Sequence, residues 1–350
     1  MTLIDRLGAA LPRAPVTVDL DDIQAAVLRY RPEPYYGTHV MLHVADAQAG
    51  RAFLRRLAPH VDSAADWWQA GQPWISVALS YAGLVALGVP QDSLRSFPEA
   101  FRAGMAARAG QLLDDGDNAP EHWDAPFGSG LIHIGVSVFS DSEHTWRQTM
   151  EMARQQYEGF PGLTVLLTQD FGAQPGDLNP LGYKDSIGQP AIDGSGVDPL
   201  PGQGPAIKAG EFILGYPGEA GVPLPMPVPD VLGRNGTFAG LRKYQSRVGT
   251  FNRFLREHGQ TGPERELLAA KAMATLEFLQ QEWINNGNFM NLGEERDPNV
   301  GLQQDGATFT IPREPVRRRI HGIETFNVLR GGEYFFLPSL SALRWLGEEH

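Results

Sequence analysis

The chain has 350 residues, of which 20% are charged and 9% are aromatic, and its formal net charge is −12. This length and apolar content suffice for one large domain or two of ordinary size. The negative charge argues against nucleic acid or an anionic membrane surface as a partner. The lack of cysteine excludes disulfides, thiolate metal sites and cysteine nucleophiles.

The N-terminal stretch "MTLIDRLGAALPRAPVTVDL" has no long apolar core and carries acidic residues early. It therefore does not resemble a secretory leader, and no apolar run approaches the length of a membrane span. We expect a cytoplasmic protein. The 40 glycines and 27 prolines predict many turns and long ordered loops.

The N-terminal half alternates between strand-like and helix-like periodicity. In the first strand, Val40, Leu42 and Val44 fall on one face, and His39, Met41 and His43 fall on the other. The predicted order is β-α-β-β-α-β, the order of a ferredoxin-like unit. The predicted elements are strand 36–47, helix 47–61, strand and short helix 73–87, strand 130–142, helix 142–160 and strand 162–170.

One later strand of this half has a predicted apolar face of its own. In the segment 130–142, the alternation predicts four inward-facing residues, Ile132, Ile134, Val136 and Val138.

The C-terminal half begins with a Gly/Pro-rich connector at 171–235. A strand at 236–245 and a helix at 246–258 follow it. A single long helix is predicted at 262–286, with Pro263 near its start and Gly287 just past its end. The remaining residues predict strand-like pieces and a short final helix.

Two charged or ligand-type patterns favour ordinary structural roles. His39 and His43 have a spacing that would suit a metal on a helix, but four strand residues span about 13 Å, too far to share one ion. The arginines at 317–319 are better interpreted as a solvated or salt-bridged edge than as an anion site.

Several longer segments resemble the dye-decolourising peroxidase family. They are "GYKDSIGQPAIDG" (182–194), "IKAGEFILGYPGE" (207–219), "GRNGTFAGLRKYQSRVGTFNRFLREH" (233–258) and "LEFLQQEWINN" (276–286). The stretch "DLDDIQAAVLRY" near the N-terminus and the ending "VRRRIHGIETFNVLRGGEYFFLPSLSALRWL" fit the same family.

This resemblance implies an α+β fold with two ferredoxin-like domains, which we expect at residues 1–175 and 176–350. It further implies that the domains enclose haem b, and that hydrogen peroxide and an organic electron donor, such as a dye or phenol, are the substrates.

The family's Gly-x-x-Asp-Gly signature falls on Gly182, Tyr183, Lys184, Asp185 and Ser186. The resemblance implies that Asp185 is the distal acid–base, which takes a proton from peroxide and returns it to the departing oxygen. The implied cofactor contacts are Gly182, Lys184, Ser186, Ile187 and Gln189. Ser186 replaces the last glycine of the signature, a defect if that position needs a positive φ.

A second departure from the family pattern removes the segment that should carry the proximal histidine. Here "LLAAKAMA" (267–274) runs directly into "TLEFLQQEW" (275–283). The missing segment would also hold the distal arginine and two central strands. We therefore expect an internally truncated second domain with an exposed sheet edge, for which dimerisation is one remedy.

Replacement ligands are few. Of the nine histidines, His258 is the nearest candidate for an axial ligand, and its alternative role is a cation at a helix C-terminus. Arg242 is a candidate for the lost distal arginine. Arg330 in "VLRGG" superficially imitates that arginine, but its neighbours match the C-terminal tail of the family. The alternative for Arg242 is a paired or solvated strand arginine. The metal ligand itself stays unknown.

Three hypotheses follow. The protein is a haem peroxidase with an unusual axial ligand and impaired activity. Alternatively, it is a haem-free, non-enzymatic descendant that binds a partner, either another copy of itself or a complete paralogue. A third possibility is a deletion product, although the apolar stripe continues smoothly across 267–283, which argues against a random lesion.

Overall fold

The computed structural model describes residues 17–29, 34–68, 72–172, 178–182, 190–199, 204–259, 301–303, 306–311 and 318–350. The predicted boundary between residues 175 and 176 lies outside these residues. So do the long helix predicted at 262–286 and the junction within it.

The N-terminal half has the β-α-β-β-α-β order that the sequence predicts, with additional short helices between the second and third strands. Its strands are β1 (Tyr36–Val44), β2 (Trp74–Leu79), β3 (Ile134–Ser140) and β4 (Leu163–Gly172). Its helices are α1 (Ala25–Leu28), α2 (Ala47–Leu57), α3 (Tyr81–Ala86), α4 (Gln91–Ser96), α5 (Glu99–Ala103), α6 (Ala109–Leu112) and α7 (Glu143–Tyr157). Short 3-10 helices cover Ala58–His60, Ala64–Trp68, Ala106–Arg108, Gly116–Asn118 and Pro120–His122.

The C-terminal half contributes a second set of elements in the described part of the chain. They are the 3-10 helix Ala209–Glu211, α8 (Asp230–Gly233), β5 (Thr237–Ser246), α9 (Val248–His258), β6 (Thr308–Ile311), β7 (Arg318–His321), β8 (Asn327–Leu337) and α10 (Leu340–Leu346). The predicted strand at 236–245, helix at 246–258 and short final helix are all confirmed.

Local capping explains where several helices begin. The Asp46 carboxylate accepts a hydrogen bond from the Ala49 N–H at 2.9 Å and starts α2. The hydroxyls of Ser80 and Ser339 cap α3 and α10 in the same way, each at 3.0 Å. These caps follow directly from Ser or Asp standing before an apolar helical pattern.

Strands from both halves form one antiparallel sheet in the order β4-β1-β3-β2-β8-β5. The two halves meet where Leu79 on β2 pairs with Phe336 on β8. The first four strands have the order of a ferredoxin-like unit, and β8 and β5 extend that unit by two strands. A separate two-stranded sheet pairs β6 with β7.

The alternation predicted for β1 places its residues in two different apolar clusters. Val40, Leu42 and Val44 join the core that α2, α7 and α10 cover, which we call the helix-side core. Met41 faces the opposite side of the sheet, the inner face, where it packs with Met105 and other large side chains. Since successive strand residues point to opposite faces, the sheet separates two cores.

The prediction that Ile132 shares a face with its alternating neighbours is wrong. Ile134, Val136 and Val138 lie in the helix-side core, as expected. Ile132 belongs to the inner-face cluster. The strand begins only at Ile134, so the alternation does not extend back to residue 132.

Helix α3 approaches the start of β3 closely because a glycine stands at the contact. A Cβ added to Gly83 would lie 2.0 Å from the carbonyl oxygen of His133. No larger residue fits there without moving the backbone.

In the described part of the chain, no helix is both long and apolar enough to cross a membrane.

Candidate functional site

The signature loop is described only at its two ends. Gly182 has a φ of +91°, a conformation that favours glycine, and its N–H donates to the Asn179 carbonyl at 2.9 Å. The other signature residues, Asp185 among them, lie outside the described residues. Their roles stay predictions, as does any effect of serine at position 186.

The entry to this loop is anchored on helix α9. Leu181, 7% exposed, packs in one apolar cluster with Phe251, Phe254 and Leu255 of that helix. This contact places the residue just before the loop against the helix that ends at His258.

The exit from the loop is held by a different group of residues. Ile192 forms a parallel bridge with Ile207, and the Asp193 carboxylate pairs with Lys208 Nζ at 2.6 Å. The loop therefore begins beside α9 and ends beside residues 207 and 208, later in the same connector.

His258 is the last residue of α9. Its ring packs on Phe254 of the same helix, with 4.8 Å between ring centres, and its carbonyl oxygen accepts a hydrogen bond from Arg318. This is the arrangement expected of a residue at a helix C-terminus, where cations are favourable. The structure places His258 on the helix that contacts Leu181, and it packs the imidazole along that helix.

Arg242 lies on β5 and is engaged on all three of its nitrogens. Nη1 and Nη2 donate to the two oxygens of Asp114, at 2.9 and 2.5 Å, and Nε donates to the Tyr244 hydroxyl at 3.0 Å. Nη1 also lies 3.8 Å from the Met105 sulfur. A guanidinium held in this way is a paired strand arginine, the structural alternative for this residue.

Burial makes the Arg242–Asp114 pair unusual among the ion pairs of the described residues. The Asp114 side chain is fully buried, and the Arg242 side chain is 11% exposed. Burial raises the pKa of Asp114, against the opposing effect of Arg242. The pKa of Arg242 is also raised: burial alone would lower it, but Asp114 and Tyr244 outweigh burial.

Arg330, the arginine that imitates the lost distal arginine in sequence, lies at the surface of β8. Its Nε donates to Gln245 at 3.0 Å and its Nη1 to the His122 carbonyl at 3.1 Å. It therefore bridges β5 and the 3-10 turn that ends at His122, and it does not share a cluster with Arg242.

The sequence analysis did not single out two acids, the buried Asp114 and the half-buried Glu333. Glu333, on β8, is held in a low-polarity setting where burial raises its pKa to about 7, opposed by the Tyr334 N–H. Asp114 lies in the acidic run "LLDDGD", where no periodicity marks one acid as buried.

Residues 22–161 match the family described as "DyP dimeric alpha+beta barrel domain". A dye-decolorizing peroxidase of Mycena epipterygia is 34% identical over 269 residues, covering 71% of this chain and 48% of that protein. The chain spans about half the length of the curated relatives it matches.

Solved structures agree on the fold. A decolorizing peroxidase from Auricularia auricula-judae superposes with a TM-score of 0.77 at 19% identity, over 95% of this chain and all of that one. A dye-decolorizing peroxidase in complex with 2,6-dimethoxyphenol gives the same TM-score, identity and coverage. The fold is thus the α+β architecture of these enzymes. Residues 22–161 therefore carry the N-terminal domain of the dye-decolourising peroxidase family, and the chain has the fold of that family's solved members.

A haem bound as in this family requires an axial ligand from the protein. All nine histidines of the sequence fall in the described part of the chain. Five of them are exposed: His60, His122, His144, His321 and His350. The rings of His43 and His133 lie against each other near the end of β1, with 4.4 Å between ring centres. His39 lies on the inner face of the sheet.

The two most enclosed imidazoles already have partners. His133 Nδ1 accepts from the Val44 N–H at 3.0 Å, and His39 Nδ1 is hydrogen-bonded to Ser137 Oγ at 2.8 Å. The described residues also contain no group of three or more His, Asp or Glu side chains that could hold a metal ion. One ring nitrogen of His39 and of His133 is thus engaged within the protein, five histidines lie at the surface, and His258 packs on Phe254 of its own helix. This placement gives none of the nine histidines as an axial ligand, and we assign no step that runs through a haem.

Proposed function

We propose that this protein is a dye-decolourising peroxidase in which haem-dependent chemistry is impaired. The relatives support the reaction class, in which hydrogen peroxide is reduced and a dye or phenolic donor is oxidised. The impairment rests on one observation, the placement of the nine histidines, together with the missing segment inferred from the sequence.

Axial ligation controls how tightly an iron porphyrin is held and how its iron reacts. A carboxylate at position 185 could move a proton only for a peroxide bound to iron. Without a supporting imidazole, Asp185 would have little effect on peroxide. The proposed protein therefore keeps the family's fold and loses most of its catalytic power.

The test is an optical titration of the purified full chain with haemin, using a complete family member as the positive control. We expect the broad absorption of free haemin and peroxide-dependent dye oxidation no faster than haemin alone. A sharp Soret band that saturates at one haemin per chain, with dye oxidation abolished by Asp185→Asn, would contradict the impairment.

Paired variants distinguish specific from adventitious ligation. If haemin binds through His258, His258→Ala removes the band and His321→Ala, an exposed control, leaves it. Equal spectra for the two variants would mean that neither residue is an axial ligand.

A second candidate function, a haem-free partner-binding protein, is favoured by the ends of the sheet. Within the described residues, β4 and β5 are the outermost strands and each pairs on one side only. Open strand edges pair readily with other chains. We propose a second copy of this chain or a complete paralogue as the partner.

Light scattering coupled to size-exclusion chromatography tests this second candidate, with the protein alone and mixed with a complete family member. A dimer or a mixed complex supports it. A well-behaved monomer that forms no complex would contradict it.

A further inference from the structure

The inner face of the sheet holds a cavity of about 200 Å³. Strands β1, β2 and β3 form one side of it, and β5 and β8 form the other. Its apolar walls include Met41, Phe139, Phe335 and Leu337. No described residue that lines it is an Asp, Glu, Lys or Arg.

A row of polar side chains crosses one wall of this cavity. His39 on β1 pairs with Ser137 on β3, which in turn pairs with Ser76 on β2. Because directly paired residues of neighbouring strands point to the same face, all three side chains face the cavity. His39, Ser76 and Ser137 are all among its lining residues.

This row ends in an unsatisfied hydroxyl. The Ser137 hydroxyl oxygen is hydrogen-bonded to Nδ1 of His39, with 2.8 Å between the two atoms. Ser76 is 4% exposed, and its Oγ has no hydrogen-bond partner within the described structure. Buried polar atoms nearly always have partners, so an unpaired hydroxyl lining a cavity points to a partner that enters from outside.

We infer that this cavity is a binding site for a small neutral ring-sized alcohol, whose hydroxyl group bonds to Ser76 Oγ. None of the described residues of the signature loop, Gly182 and 190–194, lines this cavity, and the inference does not depend on haem.

The size of the cavity limits the ligand to a single ring. An apolar cavity of about 150 Å³ holds a benzene molecule, so 200 Å³ accommodates one six-membered ring with a small substituent. The aliphatic and aromatic walls favour the ring, and the single free hydroxyl of Ser76 favours one polar group on it.

The electrostatics of the cavity exclude a charged ligand. Burial lowers the pKa of His39 to about 4, so this imidazole is neutral near pH 7. With no charged side chain among the described lining residues, an ammonium or carboxylate would lose its hydration without an opposite charge to pair with.

Three probes of one ring size test the inference by ligand-observed NMR titration of the full chain. They are cyclohexanol, methylcyclohexane and cyclohexylammonium, which carry a hydroxyl, a methyl and a cationic group at the same position. We expect cyclohexanol to bind, with one hydrogen bond to Ser76 Oγ contributing about three- to tenfold to its affinity. Methylcyclohexane reports how the same cavity binds the ring without that hydrogen bond. We expect no binding of cyclohexylammonium.

Two variants locate the site. Ser76→Ala should weaken cyclohexanol binding about three- to tenfold without weakening methylcyclohexane binding. Ser93→Ala, a change at a buried serine of α4, should leave the binding of both unchanged. Ala239→Trp, at an exposed position on the cavity rim, should abolish binding of both neutral probes.

Circular dichroism establishes that each variant is folded before its titration is interpreted. No binding of cyclohexanol to the folded wild type, or equal binding of the hydroxyl and ammonium probes, would overturn the inference. So would cyclohexanol binding that Ser76→Ala leaves intact.

Discussion

Arg242 and Asp114 form a buried two-pronged ion pair that joins strand β5 to the segment after helix α6, 128 residues earlier in the chain. Its geometry satisfies both carboxylate oxygens of Asp114 at once. A pair of this kind fixes the position of β5 against the N-terminal half, because each partner left alone would be an uncompensated buried charge.

Arg242→Met should lower the free energy of unfolding by about 3–5 kcal/mol, since it leaves Asp114 buried without its partner. Urea denaturation measures this loss. The matched control is Arg95→Met, which removes an arginine from the exposed pair with Asp92, whose side chains are 66% and 88% exposed. That change should shift stability by less than about 1 kcal/mol. Similar losses for the two variants would contradict a structural role for the buried pair.

His39 makes the native state less stable as the solution becomes acidic. Its native pKa, lowered to about 4 by burial, lies below the ordinary value of 6.5. Between these values the unfolded chain binds more protons than the native one, so stability falls as pH decreases from 6.5 to 4. The full effect is about 3 kcal/mol. His39→Gln removes this contribution, so the stability of the variant minus that of the wild type should increase as pH falls from 6.5 to 4, which urea denaturation at several pH values would detect.

Glu333 has the opposite effect over an overlapping range. Its native pKa, raised to about 7 by burial, lies above the ordinary value of 4.5. The native state therefore binds more protons between these values, and stability falls as pH rises from 4.5 to 7. Glu333→Gln removes this loss, so the stability of the variant minus that of the wild type should increase as pH rises from 4.5 to 7.

In the wild type the contributions of His39 and Glu333 to stability nearly cancel, so their sum hardly changes with pH between 4.5 and 6.5. The two variants should then differ in slope by up to about 2.7 kcal/mol per pH unit, twice the contribution of one proton. The pKa of His133 is also lowered by burial, but this residue is unchanged in both variants and cancels in the comparison. Parallel pH profiles for the two variants would contradict the assignment.

Gly83→Ala should destabilise the protein by several kcal/mol, because the new methyl group would meet the backbone carbonyl of His133 at 2.0 Å. Gly110→Ala, in helix α6, is the control, since a Cβ there meets nothing within 4 Å. It should stabilise the protein by up to about 1 kcal/mol, the helix propensity difference. Thermal unfolding of both variants tests the prediction, which fails if the two changes have the same sign.

The N-terminal strands and long helices were predictable because their apolar periodicity is strong. The alternation in β1 assigned Val40 and Met41 to opposite faces, and the structure places them in two different clusters. The short helices α4 to α6 were not predicted, because four to six residues are too few to show a helical periodicity.

The side-chain contacts at the candidate sites could not be predicted for a different reason. The row from His39 to Ser76 joins distant residues through strand register, and the pairing of Arg242 with Asp114 joins β5 to a segment that follows a short helix far earlier in the chain. Local sequence patterns carry no information about which distant strands become neighbours. The family resemblance identified the chain, whereas its departures from the family pattern could only be stated as expectations.

The pairing of Leu79 with Phe336 joins the two halves in one sheet, and from this continuity we expect them to unfold together. A fragment that ended with β4 would retain four paired strands but would leave the outer side of β2 open to water. Calorimetry of the intact chain should therefore show a single endotherm for the six-stranded sheet, and limited proteolysis between the halves should produce fragments that precipitate.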